Sequence, residues 1–131
     1  MATIMQITKN FKDYEFACKD GTLVPVDLRS NMQALANQLQ IIRDTLCEPV
    51  YINSAYRTAQ HNFNVGGASR SYHLKCLASD LRCASASPQQ VYNTILKLMD
   101  DGKILKGGLK KYDTFVHYDI RGHKVLLTLR S

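Results

Sequence analysis

Two histidines and two aspartates, far apart along the chain, set the hardest condition on its fold. The segment Ser71-Tyr72-His73-Leu74-Lys75-Cys76-Leu77-Ala78-Ser79-Asp80 and the later Phe115-Val116-His117-Tyr118-Asp119 can offer two imidazoles and a carboxylate to one ion only if the chain between them returns on itself. Three protein ligands with a fourth position open to water is the pattern of a catalytic zinc site. In an extended segment side chains alternate, so His117 and Asp119 share a face about 7 Å apart. His73 and Asp80 are separated by an odd number of positions, which places them on opposite faces of a continuous strand. A bend within Leu74-Lys75-Cys76 is therefore expected. Zinc accepts such a donor set and acidifies water enough for attack on an amide carbonyl. A His-x-Asp pair alone is equally a cross-strand hydrogen-bonding feature, so the metal reading needs support from elsewhere in the chain.

The rest of the sequence supplies a scaffold. Met32, Leu35, Leu39, Ile42 and Leu46 recur at spacings of three and four, which predicts one apolar stripe on a helix over residues 28–46. Glu48-Pro49 ends it, and Val50-Tyr51-Ile52-Asn53-Ser54 reads as a buried strand. Residues 78–83 form a second short strand. Ser87-Pro88 supplies an N-cap with proline at the first helical position for a helix to about residue 101, with Val91, Ile95 and Leu98 on its core face. Residues 58–70 read as a polar loop with Gly66-Gly67 as its turn, and Gly102 and Gly107-Gly108 mark further turns. Residues 115–120 and Val125-Leu126-Leu127-Thr128-Leu129 are expected to pair as a hairpin across Gly122-His123. Helices and strands without regular β-α-β alternation predict a small α+β domain with an antiparallel sheet.

A chain of 131 residues, 45% hydrophobic, closes one core without staples, so a single domain over 1–131 is expected. The formal charge of +6 favours an anionic partner such as nucleic acid, lipid headgroups or bacterial wall polymers. The cations are scattered, with only Lys110-Lys111 adjacent, so no specific nucleic-acid footprint is expected. No stretch approaches the roughly 20 apolar residues of a membrane span. The start Met1-Ala2-Thr3-Ile4-Met5-Gln6 lacks a secretory pattern, which predicts synthesis in the cytoplasm. Cys18, Cys47, Cys76 and Cys83 form no C-x-x-C pair and are expected as reduced, mostly buried thiols. Cys76, three residues after His73, is the one thiol placed to compete for metal, but a small core residue is the expected reading.

Ser54-Ala55-Tyr56-Arg57-Thr58 ends a buried strand in an arginine, whose planar fork suits a carboxylate. With Asn62, Val65-Gly66-Gly67-Ala68 and Ser71-x-His73-x-x-Cys76-x-Ala78-x-Asp80, it resembles the zinc D-Ala-D-Ala carboxypeptidases and related phage endolysins. Their signature reads Ser-Gly-Tyr-Arg, then Ser-x-His-x-x-Gly-x-Ala-x-Asp, then a late His. The opening Phe11-Lys12-Asp13-Tyr14-Glu15-Phe16-Ala17-Cys18 and the closing Phe115 to Arg121 resemble a short branch that ends in Phe-Val-His-x-Asp-x-Arg. The similarity spans residues 11–122.

The resemblance implies a DD-peptidase/hedgehog-like α+β fold whose antiparallel sheet lines the metal site, with helices packed against it. It implies zinc held by His73, Asp80 and His117, with Arg57 and Ser71 binding the substrate peptide. Two positions depart from the pattern. Cys76 stands where the family has Gly, which is tolerable only if the backbone there avoids positive φ. Better-known members carry an acidic general base three residues before the last His, and here that residue is Thr114. A proton carrier must lie within hydrogen-bond reach of the reacting water; Asp119 is the first candidate and Asp113 the second, while Asp119 would alternatively orient a ligand imidazole. The implied activity is peptidoglycan peptide hydrolysis, as a carboxypeptidase or endopeptidase, by a monomer that acts as a phage or prophage endolysin once released to the wall. The alternatives are a non-catalytic wall-binding or assembly module with a structural zinc, and a small basic nucleic-acid binder.

Overall fold

The computed structural model describes residues 4–127. Three helices and five strands alternate irregularly. After a 3-10 turn at Asp13–Phe16, helix α1 spans Arg29–Leu46, strand β1 Val50–Ser54, helix α2 Ala59–Asn64, strand β2 Ala78–Cys83 and helix α3 Pro88–Asp100. Strands β3 (Gly108–Lys111), β4 (Val116–Asp119) and β5 (Val125–Leu126) follow. The strands form one sheet in the order β1-β2-β4-β3-β5, so the small α+β architecture predicted from the sequence is the one observed.

The helices form where apolar periodicity and capping chemistry coincide. Met32, Leu35, Leu39 and Ile42 of α1 are buried, as their spacing requires. At the start of α3 the Ser87 hydroxyl accepts from the Gln90 N–H at 3.2 Å, and the Gln90 side chain accepts from the Ser87 N–H at 2.8 Å. This reciprocal capping box satisfies two donors that the helix itself leaves unpaired. Val91, Ile95 and Met99 of α3 join Leu81, Leu109, Val116 and Tyr118 of the sheet in one hydrophobic cluster.

Strand alternation divides the sheet into two faces. Ser79, Tyr118 and Leu109 form a row directed to the helices, and all three are fully buried. One residue along, the register pairs Ser54 with Asp80, Asp80 with His117 and His117 with Lys110. Directly opposed residues place their side chains on the same face. Four strands thus present Ser54, Asp80, His117 and Lys110 as one transverse row on the face away from the core.

Several local expectations fail for physical reasons. The final strand does not pair with β4 as a hairpin: β5 lies parallel to β3, with Gly108 opposite Val125 and Leu109 opposite Leu126. The intervening 120–124 connection, with Gly122 at φ +103, carries the chain from β4 across β3 to its far edge. Of the predicted 125–129 strand, Thr128 and Leu129 lie outside the described residues. Gly107-Gly108 is not a turn but the entry to β3. A Cβ on Gly107 would collide with the backbone carbonyl of Asp119, and one on Gly108 with the Asp119 carboxylate and the Arg121 guanidinium. These glycines permit close approach of two strands, the other reason for glycine in a strand. The 58–70 segment contains α2, capped by Thr58, whose hydroxyl accepts from the His61 N–H at 3.1 Å.

Candidate metal centre

His73 reaches the site from a short 3-10 turn, Tyr72–Lys75, capped by Ser71, whose hydroxyl accepts from the His73 N–H at 3.2 Å. The turn ends on Cys76 in the left-handed region at φ +56, and the chain then enters β2. This is the bend that the odd His73 to Asp80 spacing demands. It also overturns the expectation that Cys76 avoids positive φ: the residue adopts the conformation glycine supplies in the family pattern, at a typical cost of about 1 kcal/mol. Its side chain is fully buried, and burial pushes its thiol pKa up to about 12. Cys76 does not belong to the donor group formed by His73, Asp80 and His117.

That group is brought together by three elements, the turn that carries His73 and two paired strands, with Asp80 on β2 directly opposite His117 on β4. One donor atom from each of His73, Asp80 and His117 lies within 4.8 Å of the others. The shared focus is Asp80 Oδ1, 3.4 Å from His73 Nε2 and 3.1 Å from His117 Nδ1. Four-coordinate zinc with ligands at about 2.0–2.1 Å holds neighbouring donors about 3.3 Å apart. The two separations from Asp80 Oδ1 fit that cage.

The remaining ring nitrogens are tied back, which fixes the orientation of each imidazole. His73 Nδ1 lies 2.7 Å from the Ala55 carbonyl, to which it donates, leaving Nε2 directed at Asp80. His117 Nε2 donates to Asp119 Oδ2 at 2.8 Å, leaving Nδ1 toward Asp80. Such outer partners set both tautomer and ring direction in metal sites. Burial alone disfavours a positive His117, but its hydrogen bonds to Asp119 and Asp80 outweigh this and raise its pKa. The ring sits where positive charge is favoured.

The two aspartates on this face are differently placed. Burial raises the Asp80 pKa, yet hydrogen bonds from His117 and His73 more than offset it and hold the carboxyl well below its usual range. Its second oxygen faces Arg57 Nη2 at 3.4 Å. Asp119 is fully buried and its carboxylate is surrounded by donors. Oδ1 accepts from Gly108 N at 2.8 Å, Arg121 Nε at 2.8 Å and Arg121 N at 3.2 Å, while Oδ2 also accepts from Arg121 Nη2 at 2.7 Å. Burial again raises its pKa, and the bonds from Arg121, His117 and Gly108 reverse this, holding it well below the usual carboxylate range.

The other residues singled out in the sequence lie at graded distances from this centre. Arg57 spreads its nitrogens over Ser54 Oγ at 3.2 Å, Asn62 Oδ1 at 3.2 Å and Asp80. Asn62, which takes part in the family-like motif, is buried and donates to the Ala68 carbonyl at 2.9 Å. Asp113 and Thr114 are exposed in the turn between β3 and β4. Ser71 lines a cleft of about 340 Å³ together with Arg70, Tyr72, Lys110, Tyr112, His117 and Arg121. Arg70, Tyr72 and Tyr112 went unnoticed in the sequence because only the tertiary fold brings the segment before β2 and the β3–β4 turn to one cleft with His117. A second group of potential donors, Cys18, Asp20 and His61, lies elsewhere. There Asp20 already accepts from Thr22 N and the Thr58 hydroxyl, each at 2.9 Å.

Fold and donor set together define a small α+β domain built around a potential zinc site. The Peptidase M15 family profile matches residues 9–119, and the chain belongs to this family of zinc-dependent metallopeptidases. No curated protein matches the chain at a significant level. Among the described residues no helix is long and apolar enough to cross a membrane.

Proposed function

We propose that the chain is a zinc peptidase that hydrolyses an amide in the peptidoglycan stem peptide or cross-bridge, with His73 Nε2, Asp80 Oδ1 and His117 Nδ1 as ligands. The observation that carries this reading is the convergence of these three atoms while the opposite ring nitrogens are tied to Ala55 and Asp119. Zinc bound there supplies Lewis-acid activation of the amide carbonyl and of water. The chain's own residues do the rest. Ala55 and Asp119 hold the imidazoles in the ligating tautomer. Arg57 braces the outer oxygen of Asp80, which fixes the carboxylate's rotation and leaves Oδ1 directed inward. A substrate carboxylate reaches Arg57 only by sharing its donors with Ser54, Asn62 and Asp80.

The geometry favours Asp119 as the residue that orients His117 over Asp119 as the proton carrier, because its lone pairs are occupied by Arg121, Gly108 and His117. Asp113 then remains the acidic candidate on the β3–β4 turn. Mass analysis of muropeptides digested by wild type, Asp119→Asn and Asp113→Asn tests both assignments and names the bond cleaved. Zinc-dependent release of new amino termini, abolished by EDTA, is the expected result; no release from purified peptidoglycan by zinc-loaded protein overturns the peptidase reading. A phage or prophage lysis role for the 1–131 domain rests on the likeness to endolysins.

A second reading has a specific observation behind it. Thr114 occupies the usual base position and Asp119 is committed to Arg121, as suits a wall-binding or assembly module in which zinc is structural. Stoichiometric zinc with wall binding but no hydrolysis supports this second reading.

A further inference from the structure

The transverse row on the sheet does not stop at the donor group. Lys110 of β3 is paired directly with His117, so its side chain leaves the sheet on the same face, about 5 Å along the hydrogen-bonding direction. Lys110 and Arg70 both line the 340 Å³ cleft that His117 borders. The three arginine and lysine side chains in that cleft are not equivalent. Arg121 is spent on Asp119, through two side-chain bonds of 2.8 and 2.7 Å. Among the described residues, Lys110 and Arg70 have no acidic partner within 4.0 Å. Lys110 Nζ is instead 4.9 Å from the centre of the Tyr112 ring, which holds the ammonium on the cleft wall.

On the opposite side of Asp80, Arg57 has each of its nitrogens engaged by Ser54, Asn62 or Asp80. The cations available to an incoming anion in this cleft are therefore Lys110 and Arg70. Pockets of this size take a small ligand or a few residues of a peptide, with a small number of charged groups fixing its orientation.

Resting on the peptidase reading, we propose that Lys110 and Arg70 form a carboxylate-binding subsite beside His117, which selects acidic peptides bearing a free carboxylate next to the amide that is cut. Tyr72 and Tyr112 flank the peptide there. Arg57 in this scheme is a positioning residue for Asp80 and does not supply the main substrate contact.

The test uses two synthetic stem peptides, identical except that the side-group carboxyl beside the cleaved amide is free in one and a carboxamide in the other. Cleavage by the zinc-loaded protein is followed by amine release, and binding by calorimetry. Wild type should prefer the acid over the amide in kcat/KM, and Lys110→Gln and Arg70→Gln should each reduce that ratio by about tenfold, mainly through KM, the scale of a lost charged hydrogen bond. Lys97→Gln on the outer face of α3 removes the same net charge and should leave the ratio intact. Equal cleavage of acid and amide by wild type, or an unchanged ratio in both cleft variants, overturns the subsite while the peptidase reading stands. Preferential binding of the acid, lost in the cleft variants but without cleavage, upholds the subsite and sinks the peptidase reading. Neither cleavage nor preferential binding overturns both.

Discussion

His117 Nε2 donates to Asp119 Oδ2 at 2.8 Å, and this single bond selects which nitrogen of His117 faces Asp80. The two residues share a strand face two positions apart, so the pair is local in sequence, but its rigidity comes from Arg121 and Gly108 closing around the carboxylate.

Asp119→Asn should therefore weaken zinc binding by about 10- to 100-fold, the usual cost of losing an outer partner of a ligating imidazole. Competition with a chromophoric chelator measures this, and undiminished affinity would refute the orienting role. Asp119→Ala should in addition destabilise the fold by about 3 kcal/mol or more, because it leaves the largely buried Arg121 without its counter-ion.

Gly108→Ala should reproduce much of the same loss without touching an ionisable group. The added methyl meets the Asp119 carboxylate and the Arg121 guanidinium, so the pair must shift and His117 with it. A lowered thermal midpoint together with lowered zinc affinity is expected; wild-type values for both would show that the Asp119–Arg121 pair shifts at little cost.

Acid should unfold the chelator-treated protein through this same carboxylate. The Asp119 pKa lies below its unfolded value of 3.8, so the folded state binds fewer protons than the unfolded one in this range. The stabilisation is present above about pH 3.8 and is lost as pH falls toward the folded value. Asp119→Asn should flatten the acid limb of a stability-versus-pH curve measured by denaturant titration. An unchanged slope would assign the limb to other carboxylates.

Cys76 should behave in the opposite sense. Burial raises its pKa from 9.0 to about 12, so its contribution is complete below about pH 9 and is lost as pH rises toward 12. Cys76→Ala should lose less stability than wild type between pH 9 and 11. At pH 8 the exposed Cys47 should react quickly with a thiol reagent while Cys76 stays silent; rapid modification of Cys76 would contradict its burial.

Removing a donor should remove the ion. One equivalent of zinc is expected for wild type by elemental analysis, and His73→Ala or His117→Ala should fall well below one. Retention of a full equivalent by both variants would place the metal elsewhere, with Cys18, Asp20 and His61 the next group to test.

Much of this was legible in the chain because it depends on local order. The apolar stripe of α1, the Ser87-Pro88 cap of α3 and the strands at 50–54 and 78–83 follow from periodicity and from residues that satisfy their own neighbours' backbone groups. The odd spacing of His73 and Asp80 likewise required a bend, though the residue that makes it, Cys76 at φ +56, reversed the expectation for its backbone. A buried side chain can hold a non-glycine residue in that region when packing outweighs about 1 kcal/mol of strain.

Non-local pairing escaped the sequence. Gly107-Gly108 reads as a turn until Asp119 is seen pressed against it, and nothing in Val125-Leu126 reveals that its partner is β3 and not the adjacent β4. The residue types of the candidate centre, and their parity along each strand, were determined by the sequence alone. Which oxygen of Asp80 the imidazoles share, that Arg121 ties up Asp119, and that Lys110 stands beside His117 were decided by strand order and register. Those are properties of contacts between segments distant in the chain, where a shift of one residue turns every side chain to the other face.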